Sequence, residues 1–195
     1  GAYVKLKDVR AKPKPYGGSR PYVMNAGSSP TGQAFAIANC DGLFVSTSLQ
    51  ALDTAEQTVR RVRSAAREQG RELDVFTAGV VTCRPTRKEA EEYDHYATVE
   101  NADLGAIDHI LEMRGVTPDK YSAEEFATLR RKQAYGMGGV RLVGTPDEIA
   151  QEIAALSQAG IAGIALSFVH YIEELPYFCA EVLPRLARRG LRNPA

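Results

Sequence analysis

Two adjacent hydroxyl side chains, Ser28 and Ser29, stand between Gly27 and Pro30, directly behind the short apolar run of residues 22–24. Glycine permits a tight turn, serine caps a helix, and proline suits the first helical position. The pattern predicts a buried strand running into a helix start. Such a start offers unpaired N–H groups and a positive dipole end to an anion. The chemistry this suggests is phosphate binding, with Ser29, Ser28, Gly27 and Ala26 as the cradle. Read blandly, the same residues are a capped helix with no ligand.

Other residue types invite the same two-sided reading. His95, His109 and His170 have no ligand spacing, which argues against a metal site. His95 and His109 fall in a charged helical stretch, whereas His170 follows the last strand pattern and is a candidate to face a substrate. Ser46 and Thr47 end the second strand pattern, where they either touch a ligand or form an ordinary turn. Arg84 and Arg87 flank Pro85 after a strand, as partners for an anion or as solvated loop cations. Cys83 lacks an evident His or Asp partner, so core packing is the better reading. Glu173 and Glu174 are adjacent on a helix and do not face one another, which makes them capping residues rather than a carboxylate pair.

The elements that must position these groups alternate in type. Residues 22–24, 42–46, 75–82 and 164–169 are short apolar strand patterns separated by helical ones, which favours parallel βα units. Capping-box patterns begin at Asp53, Thr86 and Thr145, and Gly70 and Gly160 act as stops. The helix after Thr86 is expected to run through much of 87–114. A last helix is expected near 172–189, with Pro184 bending or interrupting it. Residues 121–132 look helical, and Tyr135-Gly136-Met137-Gly138-Gly139-Val140 is a glycine-rich loop. Tyr135 and Gly138 in that loop are candidate lid or substrate residues; a plain surface connection is the alternative. Residues 1–20 read as an extended lead-in, with a short strand near residues 3–6.

Bulk properties exclude several classes. The 195 residues include 24 Lys plus Arg and 24 Asp plus Glu, so the basic excess of a nucleic-acid binder is absent. Three separated cysteines provide neither a disulfide framework nor a zinc motif, and a reducing cytoplasm is the expected compartment. No stretch approaches the roughly 20 apolar residues of a membrane span. Four strands in βα order suit a small open sheet or part of a β/α barrel, and a full barrel takes about 250 residues. The unpatterned lead-in, and an opening at Gly1 rather than Met, favour the second reading. The expected fold is therefore α/β, a partial (β/α)8 TIM barrel of roughly the last four βα units with parallel strands. Residues 21–195 would form its C-terminal half.

Several segments together resemble the luciferase-like family of flavin-dependent monooxygenases, in the branch of dimethylsulfone, alkanesulfonate, nitrilotriacetate and pyrimidine monooxygenases. They are residues 12–18, residues 20–30 with an A-G-x-S element, the L-V-G-T-P segment of 142–146, and residues 160–168, 174–178 and 181–184. The resemblance implies a two-component enzyme that takes reduced FMN from a separate flavin reductase and uses O2 in C4a-peroxyflavin chemistry on a small organic substrate, an organosulfur or related compound. It maps the phosphate-contacting serine onto Ser29, with Gly27 and Ser28 as accessories. It also implies that groups around the flavin ring come largely from an N-terminal half, so this chain would not catalyse alone. A non-catalytic flavin- or phosphate-binding module, or a degenerate half-barrel needing a partner chain, is the alternative. Assembly into a homo-oligomer stays open.

Overall fold

The computed structural model describes residues 2–10, 12–136 and 139–192. Its regular elements are β1 (Met24–Asn25), α1 (Pro30–Asn39), β2 (Gly42–Phe44), α2 (Leu52–Arg67), β3 (Asp74–Cys83), α3 (Arg87–His95), α4 (Leu104–Met113), α5 (Ala123–Ala134), β4 (Val140–Gly144), α6 (Pro146–Gln158), β5 (Gly163–Phe168) and α7 (Tyr171–Arg188). Every strand pair is parallel, and β1, β2 and β3 lie side by side. The α/β fold with a parallel sheet is as the sequence pattern predicts. The sheet does not close on itself among the described residues.

The long β3 organises the sheet. It pairs with β2 over Asp74, Val75 and Phe76, then with β4 from Gly79 to Cys83, while β5 runs along Phe76 to Val81. A strand has two edges, so β2 and β4 share one and β5 takes the other. The sequence pattern missed β4, which is short and follows the glycine run.

The two faces of the sheet differ in kind, as alternation along each strand requires. Leu43, Val75, Val81, Val140, Leu142 and Phe168 join Val59 and Val62 of α2, Ile149 and Leu156 of α6, and Phe178 and Val182 of α7 in one core. On the other face the register aligns Met24, Gly42, Phe44, Phe76, Ala78, Val80, Ala165 and Ser167. This face is open: Ala78, Ala165 and Met24 are exposed. Its lower part is aromatic, because Phe76 meets Tyr22 edge to face at 6.2 Å and Phe44 at 5.7 Å. Gly42 and Gly163 make room for the Phe76 ring, since a Cβ at either would come within 2.9 Å of it. Total exposed area is 12823 Å² for 21.2 kDa, against about 9,100 Å² for a compact monomer of that mass. The exposed lead-in and this open face both contribute to the excess.

Several helix boundaries depart from expectation, each for a local reason. The boxes at Thr86 and Thr145 form with Glu89 and Glu148, and a further one, Ser122 with Glu125, opens α5. The box expected at Asp53 does not form, because a 3-10 turn at Leu49–Ala51 feeds directly into α2 and places Asp53 inside its first turn. The long helix expected after Thr86 divides into α3, a π turn at Tyr96–Glu100, and α4, which Asp103 caps. α7 continues through Pro176 and Pro184. Residues 3–6 form no strand.

Candidate functional site

The phosphate candidates lie where the β1 pattern ends and α1 begins. Ser29 is the N-cap of α1: its Oγ accepts from the Gly32 N–H at 3.1 Å, and Pro30 occupies the first helical position. Gly27 is folded back onto this first turn. A Cβ on Gly27 would stand 2.7 Å from the Cα of Gly32, and one on Gly32 would stand 2.8 Å from the Cα of Gly27. Asn25 secures the bend by accepting the Gly27 N–H at 2.6 Å. Ser28 and Ser29 are exposed, as is Ala26. The bland reading is thus partly realised, since Ser29 does cap the helix. Capping uses its oxygen as an acceptor and leaves its hydroxyl hydrogen free to donate. The two glycines let the turn close tightly against the first turn of α1, whose N–H groups and dipole end are the groups an anion would meet.

At the C-terminal ends of β3 and β5 the charged candidates are occupied with one another. Arg84 lies over the Tyr93 ring at 3.9 Å and 2.9 Å from the buried Glu174 carboxylate, and its Nη1 donates to the Cys83 carbonyl at 2.8 Å. Glu174 Oε1 has no aligned hydrogen bond at that distance, so the contact is a charge pair. The other Glu174 oxygen accepts the His170 N–H at 2.6 Å, which ties the start of α7 to the end of β5. The Arg84 charge is thus balanced within the chain by Glu174. Arg87 is likewise engaged by Glu91 at 2.7 Å and the Val143 carbonyl at 3.0 Å. Burial pushes the Cys83 thiol up to about 11, against the opposing Arg84 charge, as suits a packing residue. His170 is exposed just beyond the C-terminal end of β5, 3.9 Å from Glu173.

A cleft of about 700 Å³ runs along the free edge of β4, between it and the loop after β2. Tyr135 lines it together with Ser46, Thr47, Lys132, Arg141 and Glu152. Arg141 reaches Asp94 of α3 through both nitrogens, one at 3.2 Å, and stacks on Tyr135 at 4.1 Å. Gly136 follows with φ of 103°, and a Cβ there would be 3.7 Å from Val80 on the open face. Burial lifts the Glu152 carboxyl to about 7, although Arg87 and Arg141 oppose it, and its Oε2 is buried without a hydrogen-bond partner. Gly138 lies outside the described residues. Sequence reasoning missed Asp94, Arg141 and Glu152. An arginine inside the apolar run 140–143 was the one available signal, because a charge there needs a partner. No group of metal ligands occurs among the described residues, and no helix there is long and apolar enough to cross a membrane.

A parallel βα sheet, with helices on one face and candidate binding groups at the strands' C-terminal ends, is the construction of β/α barrel proteins. The chain belongs to the luciferase-like monooxygenase family, whose model matches residues 1–163. It is 26% identical over 189 residues to the FMNH2-dependent dimethylsulfone monooxygenase of Pseudomonas putida, covering 94% of this chain and 51% of that protein. It is also 26% identical over 210 residues to the sulfoquinovose monooxygenase of Agrobacterium fabrum, covering 95% of this chain and 52% of the relative. The crystal structure of a long-chain alkane monooxygenase superposes with a TM-score of 0.73 and 26% identity, over 89% of this chain and 43% of that one. The chain thus spans about half the length of the curated relatives it matches.

Proposed function

We propose that this chain supplies the FMN-phosphate turn and one wall of the reaction chamber of a monooxygenase dependent on reduced FMN and O2. Its substrate is a small organic molecule, with organosulfur compounds the favoured class. Residues 21–195 act as the C-terminal half of a β/α barrel. A further set of βα units covers the open face, and a separate flavin reductase delivers the reduced cofactor in a reducing, cytoplasmic setting. The carrying observation is the Gly27–Gly32 interlock at the start of α1, with Ser29 capping the helix and still able to donate.

Ser29 Oγ and the N–H groups at the start of α1 would hold the phosphate tail, with Ala26, Gly27 and Ser28 forming the surrounding turn. Reduced FMN would supply the electrons for activating O2. This chain's own contribution is to orient and enclose. The aromatic floor at Tyr22, Phe44 and Phe76 keeps water from one end of the open face. Tyr135 and Gly136 approach the other end, and His170 stands at the mouth, where the substrate enters. Tyr135 is the lid residue in this reading.

Full-length protein carrying Ser29→Ala should bind FMN about 10- to 100-fold more weakly while binding riboflavin, which lacks the phosphate, as before. Equal FMN affinity in the two proteins would remove the phosphate assignment. A second reading, a non-catalytic flavin-binding module, draws on the open face, where half a chamber is uncovered. Product formation that depends on substrate, FMN, O2 and reductase separates the two.

A further inference from the structure

The phosphate turn has a support behind it that begins on another helix. Arg61 of α2 donates through Nη2 to Oε1 of Gln33 at 2.6 Å, and Gln33 donates through Nε2 to the Ser28 carbonyl at 3.4 Å. In a trans peptide the carbonyl of one residue and the N–H of the next point in opposite directions. Holding the Ser28 carbonyl toward the α1–α2 groove therefore aims the Ser29 N–H the other way, out of the turn. The guanidinium, the Gln33 amide and the 28–29 peptide form a head-to-tail row of dipoles ending in a donor. Each member polarises the next, which strengthens that donor toward an anion. Sequence reading of the turn stops at residues 26–30 and gives no hint of this row, since Arg61 is 28 residues beyond Gln33.

We propose that Gln33 and Arg61 are positioning residues for the phosphate-bearing form of the flavin: they aim and polarise the Ser29 N–H and so favour FMN over flavins without a phosphate. This rests on the reading of the turn as the FMN-phosphate site. Neither residue touches the cofactor. Arg61 is exposed, so its replacement removes charge without opening the core. A charge acting at the end of a dipole row on an anion is worth about a two- to fivefold change in affinity, it weakens with salt, and it grows with the charge of the phosphate.

The experiment measures dissociation constants of oxidised FMN and of riboflavin, by quenching of flavin fluorescence, for full-length parent protein and for Arg61→Ala, Arg61→Lys, Gln33→Met and Ser29→Ala. Arg61→Ala and Gln33→Met should weaken FMN about two- to fivefold and leave riboflavin unchanged. The Arg61→Ala loss should be larger at pH 8 than at pH 5.5, on either side of the phosphate's second ionisation near pH 6, and smaller at high salt. Arg61→Lys should recover most of it. A purely structural prop would weaken both flavins alike and show neither the pH nor the salt dependence; that outcome overturns the proposal. Unchanged FMN affinity in both Arg61→Ala and Gln33→Met overturns it too. If Ser29→Ala also fails to separate FMN from riboflavin, or if neither flavin binds, the phosphate reading itself falls. Loss with Ser29→Ala alone leaves that reading standing and rejects only the role of Gln33 and Arg61.

Discussion

Replacing Asp94 by Asn tests how the excursion between β3 and β4 is fastened to the sheet. The Asp94 side chain is 6% exposed and pairs through both oxygens with Arg141, whose own side chain is 43% exposed. Asparagine keeps the volume but removes the charge, and its NH2 group meets a guanidinium N–H where an acceptor stood. Breaking a fully buried pair costs about 3–5 kcal/mol. Here the arginine is nearly half in water and rehydrates, so the expected loss is about 1.5–3 kcal/mol, the range of one hydrogen bond to a charged group. For a domain of this size that lowers the melting temperature by roughly 3–12 °C. Urea titration of the full chain should show a lower midpoint with an unchanged slope, since the folded surface stays the same. A double-mutant cycle with Arg141→Met should give a coupling above about 1 kcal/mol, well beyond the additivity limit of roughly 0.5 kcal/mol. Parent-like stability of Asp94→Asn, or additivity in the cycle, would refute the idea that this pair fastens the excursion.

Two further outcomes follow from titrating groups. Glu152 keeps its proton in the native state up to about pH 7, well above the ordinary 4.5, so its contribution to stability is full below pH 4.5 and fades as pH rises to 7. Chemical unfolding at a series of pH values should show that decline in the parent and lose it in Glu152→Gln; an unaltered slope would mean the carboxyl titrates normally. Cys40 and Cys83 are buried and Cys179 is exposed, so a thiol-specific disulfide reagent at pH 8 should modify one cysteine rapidly in the native chain and all three after unfolding. Fast modification of Cys83 would contradict its raised pKa.

Much of the architecture was legible because the signals were local. Thr86 with Glu89 and Thr145 with Glu148 are four-residue patterns whose partners lie within one helical turn, and both form as read. β3 was legible as a near-continuous apolar run over 75–82, although which side chains face the core shows only in the fold, where Thr77 and Gly79 are buried and Phe76 and Val80 are half-buried. Asp53 failed because the preceding turn at Leu49–Ala51 was already helical enough to start the helix early, a choice made by packing of Leu49 and Leu52 against the core. β4 was missed because five residues owe their extended form to a ladder with β3, a partner some 60 positions earlier. The same distance hid the site's supports: Arg84 with Glu174, and Asp94 with Arg141, are joined only by the fold. Ser29 was legible because cap, proline and glycine are consecutive; Gln33 with Arg61 was not, because nothing in either residue names the other.

The sharing of one β3 edge by β2 and β4 has a consequence for how such a chain can change. The segment 84–139 leaves β3 at Cys83 and returns as a strand that ends beside Cys83, with Gly144 in register. Its two ends are pinned by the same ladder, whatever lies between them. Each doubling of such a closed loop costs only about 0.6 kcal/mol of entropy. Changes of length in this stretch therefore cost the sheet little in closure entropy, provided that Asp94 still reaches Arg141.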